Sequence, residues 1–319
     1  MQRYLVRRLL AVVPTLLFAS IIVFLVIRIL PGDVVDLIIK SSPFIENTEE
    51  MRKEIEQDLG LDQPIHIQYV RWLSGIIFRG DLGTSLIRDT SVRAEIFQRV
   101  PVTISMGLLA VFFALVIAIP IGVYSAVRQD TVGDHVGRSF AILGLAIPSF
   151  WLGTMVVILP AIWWGWSPPT RLVPFTEAPL KYLSVFVTPA AILGASLAAV
   201  TMRMTRTMML EVMRQDYIRT ARAKGVGEKL LVMRHALRNG LIPVITLIGL
   251  QAPLLIGGAV ILEQIFVVPG MGLLLLEAVF QRDYPVISGV FLVVGVGVLV
   301  INLLVDLSYG WLDPKVRHE

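Results

Sequence analysis

Between Arg203 and Arg238 the chain gathers nine basic side chains, at positions 203, 206, 214, 219, 222, 224, 229, 234 and 238, against three acids, Glu211, Asp216 and Glu228. The chemistry open to such a segment is recognition, through charge-assisted hydrogen bonds to acidic groups on a partner. Groups for bond-making chemistry are missing. The chain has no cysteine, which excludes disulfides and thiolate metal sites. His66, His135, His235 and His318 fall far apart in loops or the tail, and no His-Glu-x-x-His occurs, so no metal site is expected. The phosphate-cradling pattern Gly-x4-Gly-Lys-Ser/Thr is also absent, so any ATP used by this protein is bound by another chain. No catalytic residue is assigned, and none for substrate binding.

The elements that hold the basic loop are set by charge patterning. Only 16% of residues are charged and 55% are hydrophobic, against about 25% charged in an ordinary soluble chain. Six uncharged runs, 9–27, 100–127, 139–170, 182–202, 239–262 and 284–305, are each at least 19 residues long, near the roughly 20 needed to cross a hydrocarbon core as helix. Backbone polar groups in lipid must be satisfied internally, which favours helices. The expected fold is an all-α integral membrane protein with six spans, the loop 203–238 lying between the fourth and fifth.

The net charge of +4 is concentrated in that one loop. This reads as membrane topology, and no nucleic-acid partner is expected. The positive-inside rule places 203–238 in the cytoplasm, and counting back puts the 128–138 loop and both termini there too. Arg3, Arg7, Arg8, Arg128, Arg138, Lys315 and Arg317 agree. The first apolar run is too long for a secretory signal and lacks a small-residue cleavage site, so it is expected to stay as span one.

The external segment 31–99 carries eight basic and twelve acidic residues. Asn47 with Glu50 suggests an N-cap, Gly60 a helix end, and Pro64 the start of a second helix whose Ile65, Tyr69, Trp72 and Ile76 share one face. This segment serves as a cap over the outer mouth or as a platform for an external partner. The expected divisions are a tail and first span at 1–30, the external helical segment at 31–99, a five-span core at 100–308, and a cytoplasmic tail at 309–319.

Pro120, Pro148 and Pro253 interrupt apolar runs, where lost backbone hydrogen bonds must be replaced. The span centres carry no ionisable residue; Arg28, Glu263 and Asp306 sit at span ends, where snorkelling or a partner helix accounts for them. Midplane carboxylates typically mark ion or proton pathways. Their absence disfavours a stand-alone ion-coupled carrier, and the missing catalytic groups disfavour a membrane enzyme.

Within the loop, reading 210–224 as helix lines Leu210, Met213, Tyr217, Ala221 and Lys224 on one face. Gly225 then turns the chain into a second helix over roughly 228–239. Basic residues alone suit an amphipathic helix touching anionic lipid. The paired helices and the small Ala221 and Ala223 favour a protein socket that would tilt spans four and five together.

Arg219-Thr220-Ala221-x-x-x-Gly225, followed nine residues on by His235-Ala236-Leu237-Arg238, resembles the permease loop of ABC importers, whose pattern is Glu-Ala-Ala-x-x-x-Gly, nine residues, then Ile-x-Leu-Pro. The glycine, second alanine and leucine match; the Glu, Ile and Pro do not. These departures resemble the dipeptide/oligopeptide branch, whose loop reads much like Gln215-Asp-Tyr-Ile-Arg-Thr-Ala-Arg-Ala-Lys-Gly225. Further segments in order resemble that branch: Leu30-Pro-Gly-Asp33, Leu59-Gly-Leu-Asp-Gln-Pro64, Gly80-Asp-Leu-Gly83, Ala146-Ile-Pro-Ser-Phe-Trp151, Pro269-Gly-Met-Gly272, Arg282-Asp-Tyr-Pro285 and Asp313-Pro314. Together they cover essentially the whole chain.

The resemblance implies a type I importer fold and the first of two permease subunits, in a bacterial or archaeal plasma membrane. It implies a second homologous permease, two ATPase subunits carrying ATP and Mg2+, an external binding protein, and surrounding lipid. It assigns ATPase coupling to Asp216, Tyr217, Arg219, Thr220, Ala221, Arg222, Ala223, Lys224 and Gly225, with His235, Leu237 and Arg238 on the second loop helix. Di- or oligopeptides are the implied substrate, with nickel, glutathione or oligosaccharides carried by relatives of the same branch.

Overall fold

The computed structural model describes residues 2–29, 35, 39, 49–58 and 60–312, and among these it is helical apart from loops and one isolated antiparallel bridge, Thr84 to Ser91. In chain order the helices are α1 (Gln2–Ile29), α2 (Glu49–Asp58), α3 (Ile65–Ser74, continued by a π-turn Gly75–Arg79), α4 (Val92–Val127), α5 (Val132–Ala146) and α6 (Ser149–Trp164). They continue with α7 (Pro179–Met213), α8 (Asp216–Ala223), α9 (Glu228–Leu230), a π-turn Leu231–Ala236, α10 (Leu237–Ile265), α11 (Met271–Gln281) and α12 (Tyr284–Leu312). Asn47, the Leu30–Asp33 motif, Lys315, Arg317, His318 and Asp313-Pro314 lie outside the described residues.

Among the described residues four helices can by length and composition cross a membrane, Val92–Val127, Pro179–Met213, Glu228–Gln251 and Tyr284–Val305, or five if α5 and α6 together make one span. The expected count was six. The run 139–170 is divided between two helices bent by 92°. Pro148 has no N–H, and its ring disfavours helical geometry at the residue before it. Ile147 is accordingly extended at φ −87°, ψ 118°, and Pro148 becomes the N-cap of α6. Pro120 and Pro253, by contrast, lie inside the unbroken α4 and α10.

The chain forms two compact units. One comprises residues 1–4, 102–273 and 300–319; the other comprises 5–101 and 274–299. In the first, Met106 and Ala110 of α4, Phe186 and Ala190 of α7, and Leu262 of α10 are fully buried against one another. Helices in lipid gain little from the hydrophobic effect and associate through close packing. Gly194 shows how close: a Cβ there would stand 2.6 Å from the Ala110 carbonyl oxygen.

In the second unit α2 ends as expected. Gly60 takes φ +65° and closes the helix with N–H bonds from Gly60 to Gln57 O (2.9 Å) and from Leu61 to Glu56 O (2.8 Å). The anticipated α3 face is partly realised. Tyr69 and Trp72 stack around Phe24 of α1 at 5.4 and 5.7 Å, and Tyr69 Oη pairs with Ser20 Oγ at 2.8 Å, while Ile65 remains exposed.

Candidate functional site

Most of the anticipated coupling residues lie on α8 and the turn that follows it. The helix expected over 210–224 is in fact two: α7 runs on to Met213, and the chain turns at Arg214 and Gln215, where Gln215 is extended at φ −70°, ψ 150°. The face drawn through Leu210, Met213, Tyr217, Ala221 and Lys224 therefore does not exist as a single stripe. Nor does the second helix stop near 239; it leads through α9 and the Leu231–Ala236 π-turn into α10.

What holds α8 is Ile218, which the sequence reading passed over. It has no exposed surface and packs with Ala126, Met209, Leu231, Val232 and Ala236, with Ala221, Val226 and Leu237 closing the rim. The π-turn's extra residue per turn sets Leu231, Val232 and Ala236 toward this cluster, as wide turns often do near functional sites. An apolar residue isolated among Asp216, Arg219 and Arg222 was the available signal.

The end of α8 is a Schellman turn. Val226 N–H reaches Ala221 O at 3.2 Å, and Gly225 N–H reaches Arg222 O at 3.0 Å, with Gly225 at φ +81°. A Cβ added to Gly225 would meet nothing within 4 Å. The glycine is thus required by its left-handed backbone and not by crowding. Arg222 crosses this turn to Glu228, with Nε–Oε1 at 2.5 Å and Nη2–Oε2 at 3.3 Å. The carboxylate holds the guanidinium more firmly protonated.

The outward face of α8 carries Asp216, Arg219, Thr220, Ala223 and Lys224, all exposed. Asp216 sits in the first turn, where a carboxylate complements the helix dipole, and pairs loosely with Arg219 at 3.4 Å. Thr220 Oγ1 bonds back to Asp216 O at 2.9 Å. Tyr217 points to the second loop helix instead: its hydroxyl accepts Asn239 Nδ2 at 2.9 Å, and the same amide reaches His235 O at 3.3 Å. His235 and Leu237 are half-buried, and Arg238 is exposed. Arg214, Lys224, Lys229, Arg234 and Arg238 stand exposed without an ion pair to any described residue. The site thus offers small and polar side chains on a helix fixed from behind, with exposed cations at its end and on the segments either side.

Three buried acids have partners too remote in sequence to be foreseen. Asp134 takes both Nε and Nη2 of Arg206 at 2.9 and 2.8 Å. Glu263, placed by the sequence at a span end, accepts Thr103 Oγ1 (2.7 Å) and the N–H groups of Gly272 (2.7 Å) and Leu273 (3.0 Å), capping α11 from outside. Asp283 accepts the Ser85 hydroxyl and Leu86 N–H. The Pro269–Gly272 and Arg282–Pro285 motifs thus anchor loops by buried carboxylates.

Two adjoining stretches match models of one transporter class. Residues 118–318 match the binding-protein-dependent transport system inner membrane component, and residues 1–107 match the N-terminal component of such membrane proteins. The chain belongs to this family. It is 42% identical over its whole length to a Brucella abortus chain bearing the name of a peptide transport system permease, with all of that relative covered. It is 38% identical to the glutathione transport system permease protein GsiC of Pectobacterium atrosepticum, and 36% identical to the dipeptide transport system permease protein DppB of Escherichia coli K12, both chains covered completely. The fold is similar to that of a chain of the MetNI methionine ABC transporter in inward-facing form, at TM-score 0.56 and 18% identity over 69% of this chain and 96% of that one. The family member described here is therefore a multi-pass inner-membrane permease subunit of an ABC importer, and it is not itself an enzyme.

Proposed function

We propose that this subunit forms half of a translocation path for di- or oligopeptides, and that α8 with Gly225 is the surface on which an ATPase subunit pushes. The observation that carries the coupling assignment is the two-sided character of α8. Ile218 fixes it to the ends of α4, α7 and α10, while its other side presents the exposed Arg219, Thr220 and Ala223, with the unpaired Lys224 at its end. A helix loosely attached to its own subunit would absorb a push; this one passes it to three long helices at once. Under this reading the loop and both termini face the cytoplasm, a second homologous permease completes the path, two ATPases bind ATP and Mg2+, and an external binding protein delivers substrate. Import then needs two global states of different ATPase contact and no chemistry in this chain.

The peptide assignment draws support from the names of the full-length relatives, including the dipeptide system at 36% identity. Glutathione, the cargo named for another relative, is itself a tripeptide, so one permissive path suits both.

Two measurements test these readings. The chain is purified in mild detergent with its native neighbours, and hydrolysis is assayed on the recovered complex. Recovery of ATPase subunits, with hydrolysis lost when 216–225 is replaced, is the expected result; a lone chain without ATPase overturns the coupling assignment. Uptake of labelled dialanine into vesicles holding the whole importer, competed by peptides but not by nickel or oligosaccharide, tests the cargo. Competition by nickel or sugar alone would reject it.

A further inference from the structure

A push on α8 must also reach helices that α8 does not touch, and a buried ion pair lies on the way. Arg206 sits one turn before Met209 on α7, and Met209 packs against Ile218. Its guanidinium makes the two parallel bonds to Asp134, in the first turn of α5; Asp134 has no exposed surface and the Arg206 side chain is 16% exposed. Asp134 is itself held from behind. Its Oδ2 accepts Asp130 N–H at 3.1 Å, and its own N–H is capped by Thr131 Oγ1 at 3.4 Å.

Beyond this pair the seam between α5 and α7 is smooth. A Cβ built on Gly137 would approach Met202 Cε to 3.1 Å, and one on Gly144 would approach Ala199 Cβ to 3.1 Å, while Ala141 is buried among Ala198, Ala199 and Met202. Small residues let two helices approach closely, but few side chains interlock to stop one sliding along the other. A buried ion pair adds little net stability over an apolar pair of the same size; what its bidentate geometry supplies is a defined position.

We propose that Asp134–Arg206 is a register pin, a pair of positioning residues that makes α5 travel with α7 so that motion entering at Ile218 is carried to the 92° bend and α6. The pin rests on the coupling reading of α8. It assigns to the importer a rigid body larger than the two spans that flank the coupling loop, and it gives the short 128–131 loop a part in transport.

The absence of cysteine makes the test direct. Gly144→Cys and Ala199→Cys are introduced together, since their Cβ atoms would stand 3.1 Å apart and a shift of a few tenths of an ångström brings them to the roughly 3.5–4.5 Å a disulfide spans. The assembled importer is then oxidised without nucleotide and after trapping with ATP and vanadate. The expected bridge forms at the same rate in both states, because the two helices move together. Adding Asp134→Asn is expected to make the two rates diverge by roughly five-fold or more, with the ATPases still co-purifying. Arg206→Lys, which keeps the charge and loses the paired bonds, is expected to do the same. Bridging in one state only in the unaltered background overturns the proposal even if both substituted variants fail to fold. So does a ratio unmoved by either substitution. Failure of the ATPases to bind the unaltered complex would instead reject the coupling site, and the pin with it.

Discussion

At the scale of residues, Ile218 and Gly225 have separable tasks. Ile218 fills a closed apolar cluster, so Ile218→Ala should cost about 2–5 kcal/mol locally. The expected outcome is an assembled permease whose α8 is no longer braced: ATP hydrolysis persists while uptake falls, read as molecules transported per ATP. An unchanged ratio would show that α8 transmits force by another contact. Gly225 has open space around it and φ +81°, so the penalty of substitution is conformational alone. A side chain in the left-handed region costs roughly 1–2 kcal/mol, less for Asn, which adopts it more readily. Gly225→Val is expected to impair coupling well beyond Gly225→Asn, and equal impairment by both would point to direct contact with the ATPase. The sequence places a turn at Gly225; only the backbone angle and the empty surroundings identify why it is glycine.

At the scale of elements, sequence was a good guide to where helices occur and a poor one to where they break. The apolar runs at 100–127, 182–202, 239–262 and 284–305 all lie on long helices, because lack of charge over that length is a physical requirement of lipid. Proline was ambiguous. Pro120 and Pro253 stay within helices while Pro148 ends one, and the difference depends on neighbours that one sequence does not disclose. The candidate site divides likewise. Asp216 to Gly225 is proposed from local pattern, but Asp134–Arg206 spans 72 positions and Thr103–Glu263 spans 160, distances over which spacing carries no signal. Glu263 allows a test at this scale. Its two oxygens receive one hydroxyl and two N–H donors, whereas the amide of Glu263→Gln offers only one acceptor oxygen. Losing a charged hydrogen bond here should cost about 1.5–3 kcal/mol. The expected result is a lower melting temperature in detergent and faster proteolysis between α10 and α11. Unaltered cleavage there would mean that α11 is held by packing alone.

At the scale of the whole molecule, the basic loop has to be partner surface or lipid surface, and salt separates the two. Arg222 is engaged by Glu228, Arg206 by Asp134 and Arg219 by Asp216, which leaves Arg203, Arg214, Lys224, Lys229, Arg234 and Arg238 exposed for an outside partner. Exposed charges are screened beyond a Debye length of about 8 Å at physiological ionic strength and about 3 Å at 1 M. A protein socket built on these cations should therefore lose ATPase subunits progressively as salt is raised, even in neutral detergent with no anionic lipid present. Ile218 and its apolar cluster, being insensitive to screening, keep α8 folded throughout, so the loss reports docking and not unfolding. Lys224→Ala and Lys229→Ala together should weaken docking at low salt and flatten its salt dependence, because fewer charges remain to be screened. The opposite pattern, ATPases retained at high salt while the binding of vesicles rich in anionic phospholipid falls, would assign the cations to the membrane surface. Docking would then fall to the small exposed residues of α8, Thr220 and Ala223, and to the backbone of the Gly225 turn.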